Sequence, residues 1–121
     1  MTMRVLLVED EPLIAMMLED FLEALDRQHA GTADSVAAAL PMVEAGALDA
    51  AILDVNLVGE KVYPVADALL DRGVPFLFAS GYDADESGLR FTGIRHLVKP
   101  LMMKSLVAAL VAEMDAAPDD R

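Results

Sequence analysis

Short, unbroken apolar runs alternate along the chain with longer stretches in which apolar residues recur every three or four positions. Residues 5–8 form one such run, closed by Glu9-Asp10-Glu11-Pro12, and read as a buried strand. Pro12 fits the first turn of a helix, and the acidic residues before it complement the helix dipole. Ile14, Met17, Leu18, Phe21, Leu22 and Leu25 then share one helical face. Residues 29–33 are a weaker second strand. Asp34 or Ser35 can cap a helix with Val36, Leu40 and Val43 inward and its end near Gly46, although Pro41 within it opposes helix formation. Residues 50–53 form a third strand, followed by a loop through Asn56, Gly59 and Lys61. Val65, Leu69 and Leu70 mark a helix that stops at Gly73; residues 75–79 are a fourth strand and residues 96–98 a fifth. Residues 82–93 carry two glycines and no clean period, so any helix there is short or shifts. Ser105 can cap a final helix with Leu106, Val107, Leu110, Val111 and Met114 inward.

Strands and helices in strict alternation imply an α/β fold, a doubly wound parallel five-stranded sheet with helices on both faces. At 121 residues the chain suits a single domain over 1–121, its core spanning 3–115, with a short tail and therefore no output domain. Apolar residues make up 55% and charged residues 25%, which excludes a disordered or low-complexity chain. The longest apolar run has seven residues, well short of the ~20 that span a bilayer, so a soluble, cytoplasmic protein is expected. The absence of cysteine removes disulfides, thiolate metal sites and thiol nucleophiles together. Nine basic residues against 21 acidic ones leave a net charge of −12. Such a chain is poorly suited to nucleic acid or to anionic membrane surfaces and better suited to partners with basic patches.

In a parallel sheet of this kind, ligands sit beyond the carboxyl ends of the strands. The polar residues at those ends are Glu9 and Asp10 after the first strand, Asp54 after the third, Ser80 after the fourth and Lys99 after the fifth. Carboxylates brought within about 4 Å of each other repel by several kcal/mol, and a bound cation relieves that repulsion. All-oxygen donors select a hard cation, with Mg²⁺ preferred over Ca²⁺ where few protein ligands leave room for water and phosphate. A lysine and a hydroxyl facing that cation suit phosphoryl transfer, which needs positioning and charge stabilisation.

With these residues in this order, the chain resembles the receiver domain of two-component response regulators over essentially its whole length. The resemblance rests on Glu9-Asp10, on Asp54 in Ile-Leu-Asp-Val-Asn, on Ser80 in Phe-Ala-Ser-Gly and on Lys99 in Val-Lys-Pro. It implies the flavodoxin-like (βα)5 fold with strand order 2-1-3-4-5, an order for which a receiver is a standard example. Residues 75–82, Pro-Phe-Leu-Phe-Ala-Ser-Gly-Tyr, look like the signature of the FATGUY subgroup, mostly stand-alone receivers of alphaproteobacteria linked to stress signalling. Ser80 replaces the subgroup's usual Thr. Val58 and Val62 stand where many receivers carry proline and glycine, and His96 where an aromatic switch residue is usual.

The resemblance implies that Asp54 accepts a phosphoryl group from the phosphohistidine of a histidine kinase or histidine phosphotransfer protein. Asp10 and Asp54 would ligate Mg²⁺, with Glu9 acting directly or through water and the Asn56 backbone carbonyl completing the set. Lys99 and Ser80 would bind the phosphoryl oxygens. Ser80 and His96 would carry the switch to a face built from residues 82–93, the fifth strand and the final helix, where a downstream protein docks. The chain is then a signalling switch or phosphorelay carrier, not an enzyme beyond self-catalysed phosphoryl transfer.

Bland readings stand beside these. Glu9, Asp10 and Glu11 can be a solvated turn that caps the first helix, Asp54 a turn residue, Ser80-Gly81 an ordinary turn and His96 an edge-strand residue. Two further functions remain open on the residues alone. One is a phosphorylation-independent interaction module on the same fold. The other is a small Mg²⁺-dependent phosphatase with Asp54 as nucleophile, although Asn56 stands where such enzymes usually carry a second Asp.

Overall fold

The computed structural model describes residues 3–80 and the strand His96–Val98. In chain order the elements are β1 (Arg4–Val8), α1 (Pro12–Ala24), β2 (Gln28–Ala33), α2 (Val36–Ala45), β3 (Ala50–Asp54), β4 (Asn56–Leu57), β5 (Glu60–Lys61), α3 (Tyr63–Asp71), β6 (Phe76–Ser80) and β7 (His96–Val98). Five strands pair in the order β2-β1-β3-β6-β7, every neighbour parallel. This is the order 2-1-3-4-5 of the five long strands, with the strand order reversing at β1 and β3.

Alternation along each strand divides the core into two faces, because successive side chains point to opposite sides of the sheet. Leu6, Val8, Ala51, Leu53, Phe76 and Phe78 pack against Ala39 and Val43 of α2 and Val65, Ala66 and Leu69 of α3. Phe78 meets both Phe76 and Tyr63 edge to face, with centroids 5.4 and 6.0 Å apart. On the other face Val5, Leu7, Ile52 and Leu77 pack against Leu18 and Leu22 of α1. The central strands β1, β3 and β6 are buried on both sides, which is why they read as unbroken apolar runs, whereas the edge strand β2 is largely open to solvent and does not.

Local chemistry explains the helix ends. Pro12 opens α1 as expected, and Ser35 caps α2 by accepting the Ala38 N–H at 3.1 Å. Pro41 does not end α2. It lies on the solvent side with Ala37, whose carbonyl is the one that loses its donor, so the missing bond falls where water can replace it. Gly46 closes the helix at φ +79°, a conformation that glycine adopts without strain.

Of the residues that mark α3, Val65 and Leu69 are buried together with Ala66, while Leu70 is 49% exposed. One expectation is corrected. The segment after β3 is not an open loop but the antiparallel hairpin β4–β5, with Asn56 opposite Lys61 and Leu57 opposite Glu60. Its turn is made by Val58 and by Gly59, whose φ of +77° suits the third position of a tight turn. The expected helices at 82–93 and after Ser105 lie outside the described residues.

Candidate functional site

Three carboxylates meet at the C-terminal edge of the sheet, on the two strands between which the order reverses. Glu9 follows β1 directly, Asp10 lies one residue further, and Asp54 is the last residue of β3. Parallel pairing of Val8 with Leu53 brings these strand ends side by side. One oxygen from each of Glu9, Asp10 and Asp54 can be chosen so that all lie within 4.8 Å of one another.

Burial sharpens the electrostatics. Glu9 is 3% exposed and Asp54 5%, and these are the buried charged residues among those described. A carboxylate taken out of water needs donors or counter-charge. Backbone amides supply part of it. Glu9 Oε2 accepts the Glu11 N–H at 3.1 Å, Asp54 Oδ1 the Asn56 N–H at 3.3 Å, and Asp10 Oδ2 the Val58 N–H at 2.8 Å. An open cavity of about 340 Å³ adjoins the cluster, lined by Glu9, Asp10, Thr32 and Asp34 and by the small or apolar Pro12, Ala15, Ala33 and Ala38.

The helix-capping reading of the acidic turn is thereby overturned. Glu11 is the N-cap of α1, yet its side chain makes no capping bond, and Glu9 is buried instead of solvated. The chemistry of the donor set fits a hard divalent cation: three carboxylate oxygens, no imidazole and no thiolate within the group.

Ser80 is the last residue of β6, in register with Val98, and His96 opens β7 opposite Phe78. Asn56 opens β4, and its side-chain oxygen accepts a hydrogen bond from Lys61 Nζ. Lys99 lies outside the described residues. Sequence reasoning gave Val58 and Lys61 no role at the site and did not single out Glu60; the hairpin sets Val58 beside Asp10, Lys61 beside Asn56 and Glu60 against Val36. The available signal was Gly59, two residues past a strand-like pair, in the place that a tight turn reserves for glycine.

Residues 5–111 match the family model described as the response regulator receiver domain. Among solved structures, the chain is similar to SdrG from Sphingomonas melonis Fr1, at 54% identity over 93% of this chain and 97% of that one, with a TM-score of 0.83. The BeF3-activated conformation of SdrG from Pseudomonas melonis Fr1 matches at 54% identity, over 92% and 95% of the two chains, with a TM-score of 0.80. The receiver domain of the PhyR response regulator from Erythrobacter litoralis matches at 26% identity, over 98% and 94%, with a TM-score of 0.87. Comparison with curated proteins finds no match.

Proposed function

The chain belongs to the response regulator receiver domain family, a family of signalling proteins and not of enzymes, and from that premise we propose that it works as a phosphorylation switch or phosphorelay carrier with Asp54 as the phosphoacceptor. The observation that carries this reading is the convergence of Glu9, Asp10 and Asp54 at the edge of the sheet, with Asp54 nearly buried at the end of a central strand.

Receiver domains of two-component systems take their phosphoryl group from histidine kinases, directly or through a phosphotransfer protein. Here an Asp54 carboxylate oxygen attacks the phosphorus of a phosphohistidine. The P–N bond breaks, the imidazole leaves with the electron pair, and an acyl phosphate remains on Asp54. Glu9, Asp10, Asp54 and the Asn56 backbone carbonyl would hold Mg²⁺. When bound, Mg²⁺ supplies positive charge against the carboxylates and the transferring phosphoryl oxygens. The backbone N–H groups on Asp10 and Asp54 keep the two carboxylates oriented before the donor arrives.

Lys99 would pair with a phosphoryl oxygen, and the Ser80 hydroxyl would donate to another once transfer is complete. That hydroxyl draws its strand end toward the phosphate, and His96 on the neighbouring strand would pass the shift to the surface where a downstream protein docks. The BeF3-activated conformation of the SdrG relative supports the idea of a second, activated state in this chain too. A cytoplasmic location and a stress-signalling role complete the proposal. Among the described residues no helix is long and apolar enough to cross a membrane.

The deciding experiment is intact-mass spectrometry after incubation with acetyl phosphate and Mg²⁺, with a panel of histidine kinases as alternative donors. One phosphoryl adduct that requires Mg²⁺ and is absent from Asp54→Asn is the expected result. Lack of an adduct from every donor would replace the switch with a phosphorylation-independent interaction module.

A further inference from the structure

The hairpin that follows Asp54 is fastened at two places. At its turn the Val58 N–H donates to Asp10 Oδ2 at 2.8 Å. Just past the turn Glu60 Oε2 accepts the N–H of Val36, the first residue of α2, at 2.9 Å. Ser35 caps the same ten-residue helix through the Ala38 N–H, so Glu60 satisfies an amide that Ser35 does not. A carboxylate in that position also faces the positive end of the helix dipole. The base of the hairpin is closed by the Val62 N–H on the Val55 carbonyl at 3.1 Å and by the Lys61–Asn56 hydrogen bond, so the turn and Glu60 are held in one piece.

Asp10 is the member of the acidic trio that depends most on such support. Glu9 and Asp54 are fixed within the protein by burial, whereas Asp10 is partly exposed and its carboxylate accepts a hydrogen bond from the tip of the hairpin. We propose that Glu60 is a positioning residue for Asp10: the hairpin is a strap that ties the Asp10 carboxylate to the N-terminus of α2. The inference rests on the reading of Asp10 as a cation ligand. The tie runs both ways. Cation capture at Asp10 must be felt at the first amide of α2, and loosening Glu60 must weaken capture at Asp10.

The test is a Mg²⁺ titration of the full chain followed by ¹H–¹⁵N NMR, reading the Val36 and Val58 amides in the wild type, Glu60→Ala, Glu60→Gln and Asp10→Asn. In the wild type both amides should shift along one binding curve. In Glu60→Ala the Val36 response should be lost and the apparent Kd weakened about two- to tenfold, the scale of one lost hydrogen bond. Glu60→Gln, which keeps an oxygen able to accept the Val36 N–H, should retain the response and most of the affinity. Thermal unfolding of Glu60→Ala confirms that the variant is folded. If Mg²⁺ binds and Asp10→Asn abolishes it, while Val36 stays still or Glu60→Ala binds as well as the wild type, the strap is wrong and the site reading survives. If the wild type binds no Mg²⁺, or Asp10→Asn binds equally well, the site reading fails and the strap with it.

Discussion

Asp54→Asn removes one of the three clustered charges yet keeps an oxygen for the Asn56 N–H. Two unit charges 4.8 Å apart, the limiting spacing of the trio, repel by about 3.5 kcal/mol at an effective dielectric near 20. Asp54 faces two such neighbours, Glu9 buried and Asp10 partly open to solvent. Solvent at Asp10 and the backbone donors on all three carboxylates reduce the repulsion, leaving an expected gain of about 1–3 kcal/mol for the variant without Mg²⁺. For a domain of this size, each kcal/mol raises Tm by about 3–6 °C. The assay is urea unfolding at matched ionic strength, first in EDTA and then in Mg²⁺. Mg²⁺ at ten times its Kd should add about 1.4 kcal/mol to the wild type. The variant has one ligand fewer and should gain less, so the gap between the two narrows as Mg²⁺ is added. A variant no more stable than the wild type in EDTA, with neither midpoint moved by Mg²⁺, would refute the electrostatic account of the site.

Two further predictions concern the frame that holds the site. Leu69→Ala removes a fully buried side chain from the core beneath α3 and should cost about 2–5 kcal/mol in urea unfolding, while Leu70→Ala on the exposed side should stay within about 0.5 kcal/mol of the wild type. Pro41→Ala restores an amide in the middle of α2 at an exposed position, and should stabilise the protein by about 1–3 kcal/mol; a loss of stability would mean that the proline is required where it stands.

The frame was legible where one physical requirement dominated. Residues 5–8 and 50–53 are buried on both faces of the sheet, so an unbroken apolar run has no other comfortable place, and the polar residues that end them had to meet at one edge. That logic alone brings Glu9, Asp10 and Asp54 together, as the structure does. It was weaker wherever alanine did the packing. Ala15, Ala39 and Ala66 are buried members of helical stripes, but a small side chain weighs little in a hydrophobic period, and none of the three was singled out. The β4–β5 hairpin was missed because its strands have two residues each, too short to show a period of two. Its contribution to the site comes through the Val58 N–H, a group that every non-proline residue carries and no side-chain pattern reveals.

The pairing of β1 with β3 also fixes an order of events during synthesis. Val5 lies beside Ala50 and Val8 beside Leu53, so β1 must wait for β3 before its inner edge is covered. Until then it can pair with β2 alone, and the closure of so long a loop is a slow step of the kind that makes non-local sheets fold late. A nascent chain stalled on the ribosome before residue 50 therefore carries Glu9 and Asp10 with no third carboxylate to meet. If the three carboxylates hold a cation as proposed, their full set is assembled only after β3 has emerged and docked.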